Sequence, residues 1–312
     1  MDKFVLVNLI PIMVRMIDQG TVIDVLNPIK QSKRRSGMKK GLVFGLVALA
    51  IIGFLFATSA IGADINLAKK STVENILKRG ELRVGFESGY VPFEMTNKKG
   101  EFIGFDMDYG RRLAKDMGVK FVPINTAWDG IIPALMTDKF DIIMGGMTIT
   151  QERNLKVNFA DPYIVVGQTI LLNKKHKNAV LSYKELNNPK YIVTSRMGTT
   201  GEQAIKRYIP KATYKGFESE AEAGLEVING KADALVYDLP FCGFLYGSQG
   251  KDKTIFLSDP FTFEPLAWAI KKGDPDFMNF LNNFLRQTKG DGFYDRMYKK
   301  WITGTKWKEE LE

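Results

Sequence analysis

Residues 120–146 read KFVPINTAWDGIIPALMTDKFDIIMGG, and this stretch decides the fold class. Lys120 to Pro123 is typical of a strand, Trp128 to Met136 has helical spacing, and Asp141-Ile-Ile-Met is a short buried strand. The last strand runs into the pair Gly145-Gly146, which predicts a tight turn. The stretch therefore predicts a β-α-β unit, the building block of a mostly parallel sheet.

The same rhythm extends in both directions from this unit. Upstream, Glu81 to Phe86 alternates as a strand does, and Arg111 to Met117 has helical spacing. Downstream, a continuous apolar strand is predicted from Tyr163 to Leu172. A second series follows, with strand Tyr191 to Thr194, helix Glu202 to Tyr208, strand Ala234 to Tyr237, strand Pro265 to Ile270 and helices Asp276 to Lys289 and Gly292 to Trp301. We therefore predict an α/β protein with two sheets covered by helices.

Composition and charge exclude several classes of protein. The 312 residues are 45% hydrophobic and 25% charged, which is typical of one large or two medium globular domains. The single cysteine, Cys242, excludes an internal disulfide and any Cys-x-x-Cys motif. Residues 1–63 hold eight Lys/Arg and three Asp/Glu, so the rest of the chain has 36 basic against 32 acidic residues. Because this excess is small and scattered, we expect no nucleic-acid partner.

The N-terminal region has the layout of an export signal. Met38-Lys-Lys precedes an uncharged stretch at 41–63, which ends in the small residues Gly62 and Ala63. We predict a signal peptide or a membrane anchor at 38–63, because the stretch is also long enough to span a bilayer. Either form places the body outside the cytoplasmic membrane, in the periplasm. Residues 1–37 are predicted to be a mis-called start or a short cytoplasmic tail held inside by its basic cluster.

Eight fragments of the body carry a resemblance to a known family. In order they are Gly85 to Phe93, Gly104 to Asp108, Trp128 to Leu135, Asp141 to Arg153, Phe159 to Tyr163, Gly198 to Thr200, Ala232 to Asp238 and Gly290 to Tyr294. Together they make residues 72–302 similar to bacterial extracellular solute-binding proteins, family 3, which serve polar amino-acid ABC transporters. The resemblance implies the type II periplasmic-binding-protein fold, with two α/β lobes and a ligand cleft between them.

The resemblance also implies how the chain is divided and what it does. Lobe 1 would comprise 72–166 plus 266–312, lobe 2 would comprise 167–265, and two hinge strands would join them. Closure about the hinge would bury a polar amino acid, which the protein would deliver to an ABC permease. The protein would act as a monomer, without a cofactor, without a metal ion and without catalytic residues.

A dry pocket for an amino acid must supply a charge opposite to each end of the zwitterion. Arg153 matches the family's carboxylate clamp, and its planar fork suits bidentate binding. Asp238 matches the partner of the ammonium and follows a strand, where ligands of open α/β sheets gather. The structural alternatives are a surface arginine and a helix N-cap.

Other cleft residues follow from the same fragments. Thr199 and Thr200 open a helix and would bind the carboxylate from lobe 2, although Thr199 and Glu202 also have capping-box spacing. Gly146 and Thr148 match positions that offer a carbonyl and a hydroxyl to the ligand.

Aromatic and charged residues would face the side chain of the ligand. Tyr90 and Trp128 match positions that enclose this side chain or the ammonium, unless they are core residues. Glu87 sits where binders of basic amino acids have an acid, whereas Arg196 matches a basic position of glutamine binders. Together they suggest a ligand such as glutamine, or else the two residues are solvated or paired with each other.

Two other classes of protein remain alternatives. A dehydratase or transglycosylase on the same fold is disfavoured because the one histidine, His176, lies in a Lys-Lys-His-Lys loop and is predicted to face solvent. A membrane-tethered sensor would keep the span at 41–63, but a 37-residue tail is too small for a kinase or cyclase.

Overall fold

The computed structural model describes residues 71–311. The predicted leader at 38–63 and the segment 1–37 lie outside the described residues. In the first part of the described chain the elements are α1 (Thr72–Arg79), β1 (Glu81–Phe86), β2 (Met95–Thr96), β3 (Phe102–Ile103), α2 (Phe105–Asp116), β4 (Lys120–Asn125), α3 (Trp128–Met136), β5 (Ile142–Ile143), α4 (Gln151–Asn154), β6 (Asn158–Phe159) and β7 (Ile164–Val166).

The second part repeats the alternation of strands and helices. Its elements are β8 (Gln168–Asn173), β9 (Ile192–Arg196), α5 (Thr200–Tyr208), β10 (Thr213–Phe217), α6 (Glu220–Ile228), β11 (Ala234–Asp238), α7 (Leu239–Leu245), β12 (Thr254–Leu257), β13 (Glu264–Leu266), β14 (Ala269–Ile270), α8 (Pro275–Gly290) and α9 (Phe293–Met297). The last predicted helix is shorter than expected, because α9 gives way to a wider helical turn at Tyr298–Thr303.

Two five-stranded sheets organise these elements. The first has the order β4-β1-β5-β14-β6, in which β4, β1 and β5 are parallel and β14 is antiparallel to both neighbours. The second has the order β10-β9-β11-β8-β12, in which β10, β9 and β11 are parallel and β8 is antiparallel to both neighbours. The prediction of an α/β protein with two sheets is confirmed, but both sheets are mixed, because half of the strand pairings in each are antiparallel.

The strand predicted from Tyr163 to Leu172 is wrong in one respect, because it is two strands. It breaks at Gly167, where a side chain would meet the carbonyl oxygen of Thr262 at 2.5 Å. The strands before and after Gly167 therefore pair with different partners. β7 pairs antiparallel with β13, whereas β8 joins the second sheet.

The late strand predicted from Pro265 to Ile270 is likewise divided. Its first part is β13, paired with β7, and its second part is β14, inside the first sheet. The two crossings between sheets therefore lie side by side. The predicted lobe boundaries at 166 and 265 fall at this pair, and they stay a prediction.

Apolar clusters cover the faces of both sheets. One face of the first sheet packs around Ile131, Leu135 and Phe140, and one face of the second packs around Ile170, Val193 and Val236. Among residues 71–311, no helix combines the length and the apolar character needed to cross a bilayer.

Asp106, in the first turn of α2, is a buried support for the turn after β5. Its carboxylate accepts hydrogen bonds from the Gly146 amide at 2.9 Å, the Tyr163 hydroxyl at 2.8 Å and the Trp268 indole at 3.0 Å. Burial raises the pKa of Asp106 to about 6, although these three donors oppose the shift. The carboxylate thus links the glycine turn to Tyr163 and Trp268, which immediately precede β7 and β14.

Replacing Asp106 with asparagine should lower the free energy of unfolding by about 1–3 kcal/mol, because the amide NH₂ leaves at least one buried donor unpaired. Urea denaturation measures the loss. Asp116→Asn, which removes an exposed ion pair with Arg112 on the same helix, should cost less than about 1 kcal/mol. Equal stability of Asp106→Asn and the wild type would contradict this role.

Candidate functional site

A small cavity lies where the two sheets face each other. It is lined by Glu87, Tyr90, Glu94, Trp128, Gly145, Gly146, Thr148, Arg153, Arg196, Thr199, Thr200, Tyr237 and Asp238. The structure therefore brings all ten of the residues selected from the sequence together in one cavity. Most of them follow the carboxyl ends of parallel strands, which is where open α/β sheets bind ligands.

Arg153 is a buried cation in the cavity. Its guanidinium donates a hydrogen bond to the carbonyl oxygen of Thr148 at 3.0 Å and lies 5.1 Å from the ring centroid of Trp128. Within residues 71–311, no carboxylate oxygen lies within the 4.0 Å of a salt bridge to Arg153. Burial lowers its pKa, while the nearby charges of Glu264 and Asp238 oppose the shift. A guanidinium in this state can bind an anion that enters the cavity.

Local structure fixes the position of Arg153. The short helix α4 begins after Thr150, whose hydroxyl accepts a hydrogen bond from the Arg153 amide at 3.2 Å. The guanidinium also donates to the carbonyl oxygen of Gly198 at 3.4 Å, on the side of the second sheet. The surface position considered as the structural alternative is wrong, because Arg153 is only 8% exposed.

Asp238 ends β11 and is also buried. The Tyr90 hydroxyl and the side-chain amide of Gln168 donate hydrogen bonds to its carboxylate oxygens. Burial raises the pKa of Asp238 to about 7. The residue does occupy the N-cap position of α7, but its side chain makes no capping hydrogen bond. Its carboxylate is therefore available to the cavity.

The start of α5 differs from the predicted capping box. The Thr199 hydroxyl donates to the carbonyl oxygen of Arg196 at 2.7 Å, and Glu202 accepts from the Gly198 amide at 2.7 Å. Thr199 thus makes no capping hydrogen bond to the helix, and the nine-residue helix begins beside the cavity without a side-chain cap. A helix N-terminus in this position favours an anion.

Arg196 and Glu87, whose roles the sequence left open, are paired with each other. The Arg196 guanidinium contacts Glu87 and lies 3.0 Å from the carboxylate of Glu220. Burial alone would lower the pKa of Arg196, but Glu220 and Glu87 outweigh it and the pKa is raised. In contrast to Arg153, this guanidinium already has two acidic partners.

Aromatic side chains close the cavity. The Trp128 indole donates to the carbonyl oxygen of Gly198 at 3.1 Å, and the rings of Tyr90 and Tyr237 meet edge to face at 6.0 Å. Gly146 has a φ of 57°, and a side chain there would lie 2.2 Å from the Tyr90 ring. A glycine at 146 is therefore required for Tyr90 to pack here.

Sequence analysis missed Glu94, Gly145 and Tyr237. Glu94 lies between Phe93 and Met95, and an acid within an apolar run was the sequence signal that could have indicated a buried site residue. His176 was predicted to face solvent, but it is half-buried and its Nε2 lies 2.7 Å from Asp233. In the part of the chain that the structure describes, no three His, Cys, Asp or Glu side chains are arranged to hold a metal ion.

Two sheet-containing lobes with a charged cavity between them are typical of proteins that bind a small polar solute. The chain belongs to the bacterial extracellular solute-binding proteins, family 3, whose model matches residues 82–304. The comparisons also confirm the type II periplasmic-binding-protein fold.

Three relatives illustrate the range of this family. The ABC transporter glutamine-binding protein of Bacillus subtilis is 32% identical over 275 residues, which cover 85% of this chain and 98% of that protein. A structure from Wolinella succinogenes, assigned as the binding component of an ABC transporter and complexed with lysine, is 54% identical with a TM-score of 0.72, covering 74% of this chain and 99% of that one. A cyclohexadienyl dehydratase of Pseudomonas aeruginosa is 25% identical over 235 residues, covering 75% of this chain and 87% of that protein.

Proposed function

We propose that this protein captures an amino acid outside the cytoplasmic membrane, without changing it chemically, and delivers it to an ABC permease. The observation that carries the proposal is the pair of buried, opposite charges in one cavity. Arg153 has no carboxylate partner within the described chain, and Asp238 is held by neutral donors only. A zwitterion would compensate both charges in one binding event, which neither a cation nor an anion alone would do.

Binding would be coupled to closure because the proposed ligand contacts come from both lobes. Arg153 and Thr148 belong to the part of the chain before β7, whereas Asp238 and the start of α5 belong to the part after it. A carboxylate held between Arg153 and α5 would join the two parts. The adjacent pair of β7 and β13 would act as the hinge, as in proteins that close around a ligand.

A thermal-shift screen of the purified protein against the amino acids and their polar relatives tests the proposal. A ligand at 100 times its Kd should stabilise the protein by about 2.7 kcal/mol and raise its melting temperature. The relatives bind amino acids with different side chains. They therefore support an amino acid as the ligand, and the screen identifies its side chain. A flat screen would contradict the proposal.

The enzymatic alternative has one observation in its favour besides the dehydratase relative. The pKa of Asp238 is about 7, which suits a general acid or base, and this residue lines the cavity. Incubation with prephenate or arogenate, followed by a search for an aromatic product, separates the two functions. We expect ligand binding without product.

We propose a monomer in the periplasm, released by cleavage after Gly62 or Ala63 or kept on an anchor at 41–63. The family is described as extracellular, which supports export. N-terminal sequencing of the exported protein distinguishes the cleaved form from the anchored form, and the anchored form would fit the sensor alternative.

The affinity should depend on pH through Asp238. The ammonium of the ligand requires an ionised carboxylate, whereas Asp238 without ligand has a pKa of about 7. The affinity should therefore rise with pH up to about 7 and then level off, with a gain of more than about tenfold between pH 5 and 7. Calorimetry with glutamine, whose side chain is neutral, isolates this effect. In Asp238→Asn the dependence should disappear, and its persistence there would contradict the assignment.

A further inference from the structure

We propose that the part of the cavity that binds the ligand's side chain prefers a cation. The preferred ligands are therefore amino acids of the lysine and arginine class, and Glu94 binds the positive charge of their side chains. This inference rests on the proposed function and adds the chemical class of its ligand.

The first step is the distribution of charge within the cavity. The charges of Arg153 and Asp238 sum to zero. Arg153 would bind the carboxylate and Asp238 the ammonium that every amino acid carries. Of the remaining charged groups at the site, Glu87, Glu94 and Glu220 are acids and Arg196 alone is a base. Three acidic side chains against one guanidinium leave this part of the cavity short of positive charge.

The second step is the state of Glu94. Its side chain lines the cavity although the residue is only 2% exposed, and within residues 71–311 its Oε2 atom has no hydrogen-bond donor. Arg196 is occupied by Glu87 and Glu220 instead. Burial, together with the charges of Asp106, Glu220 and Glu87, raises the pKa of Glu94 well above its ordinary range. A buried carboxyl in this state lacks a cationic donor, which a ligand would supply.

The third step compares the candidate side chains. An ammonium or guanidinium would donate to Glu94 and reduce the repulsion among the three acids. It would also be attracted by the faces of the aromatic rings of Tyr90, Trp128 and Tyr237. An amide such as that of glutamine can donate a hydrogen bond but adds no charge. A carboxylate such as that of glutamate would add a fourth acid. The cavity therefore favours the cation.

Calorimetric titration of the full-length protein with L-lysine, L-arginine, L-glutamine and L-glutamate tests the inference. The wild type should bind lysine or arginine at least about 30-fold more tightly than glutamine, with glutamate weakest. Glu94→Gln, which preserves shape and removes the charge, should reduce this preference at least about tenfold by weakening the cationic ligands alone. Glu222→Gln is the matched control, because Glu222 lies exposed on α6, two residues from Glu220, and should change nothing.

Two results would overturn the inference while leaving the proposed function intact. One is a wild type that binds glutamine as tightly as lysine and arginine. The other is an equal loss of affinity for every ligand in Glu94→Gln, which would indicate a merely structural role. If Glu94→Gln does not fold, the preference of the wild type decides the question. Failure of all four ligands to bind the wild type would overturn the inference, whereas only a flat screen against all the amino acids would also overturn the proposed function.

Discussion

Replacing Arg153 with alanine is expected to weaken amino-acid binding by about 2–5 kcal/mol, the range found when one partner of a buried charge pair is removed. The carboxylate of the ligand would lose the guanidinium that neutralises it in a closed cavity. The start of α5 would remain, but amide dipoles compensate only part of a full charge. Calorimetry of the wild type and the variant with the same ligand measures the difference.

Two further variants sharpen this expectation. Arg153→Lys keeps the charge but loses the planar fork, so it should recover only part of the affinity. Lys156→Ala removes a cation three residues away, which is exposed and pairs with Glu152, and it should bind as the wild type does. A loss of less than about tenfold in Arg153→Ala would count against the clamp.

Replacing Asp238 with asparagine is expected to have an effect of similar size, about 2–5 kcal/mol. The amide is nearly isosteric with the carboxylate but neutral, so the ammonium of the ligand would be buried without a counter-charge. Its NH₂ group would also meet one of the donors that now face Asp238, from Tyr90 or from Gln168. Isothermal titration at pH 8, where the wild-type carboxylate is ionised, gives the full difference.

The matched control for this variant is Asp252→Asn. Asp252 is exposed, and its backbone carbonyl oxygen accepts a hydrogen bond from Lys174. The control should retain the wild-type affinity. Unchanged binding by Asp238→Asn at pH 8 would exclude Asp238 as the partner of the ammonium.

Much of the site could be predicted because its residues follow strands that the sequence defines. Arg196 ends β9 and Asp238 ends β11, and parallel strands bring their carboxyl ends to one edge of a sheet. The other site residues, including Tyr90 and Trp128, were predicted from the family fragments. In the folded chain Tyr90 contacts Asp238 and Trp128 contacts Gly198.

The contacts made by these residues could not be predicted. Arg196 and Glu87 are 109 residues apart, so no local pattern indicates that they pair. Glu94 lies in an apolar run, but its position in the cavity depends on contacts with distant parts of the chain, which the sequence does not show. Similarly, the break at Gly167 is required by the approach of Thr262, which lies 95 residues further along the chain.

A crystal structure of the protein with the amino acid that gives the largest thermal shift would test the central claim most directly. We expect the α-carboxylate within hydrogen-bonding distance of the Arg153 guanidinium and the start of α5. We expect the α-ammonium on the carboxylate of Asp238 and the side chain extended between Tyr90 and Trp128. An amino acid bound outside this cavity, or bound inside it with neither Arg153 nor Asp238 in contact, would contradict the account.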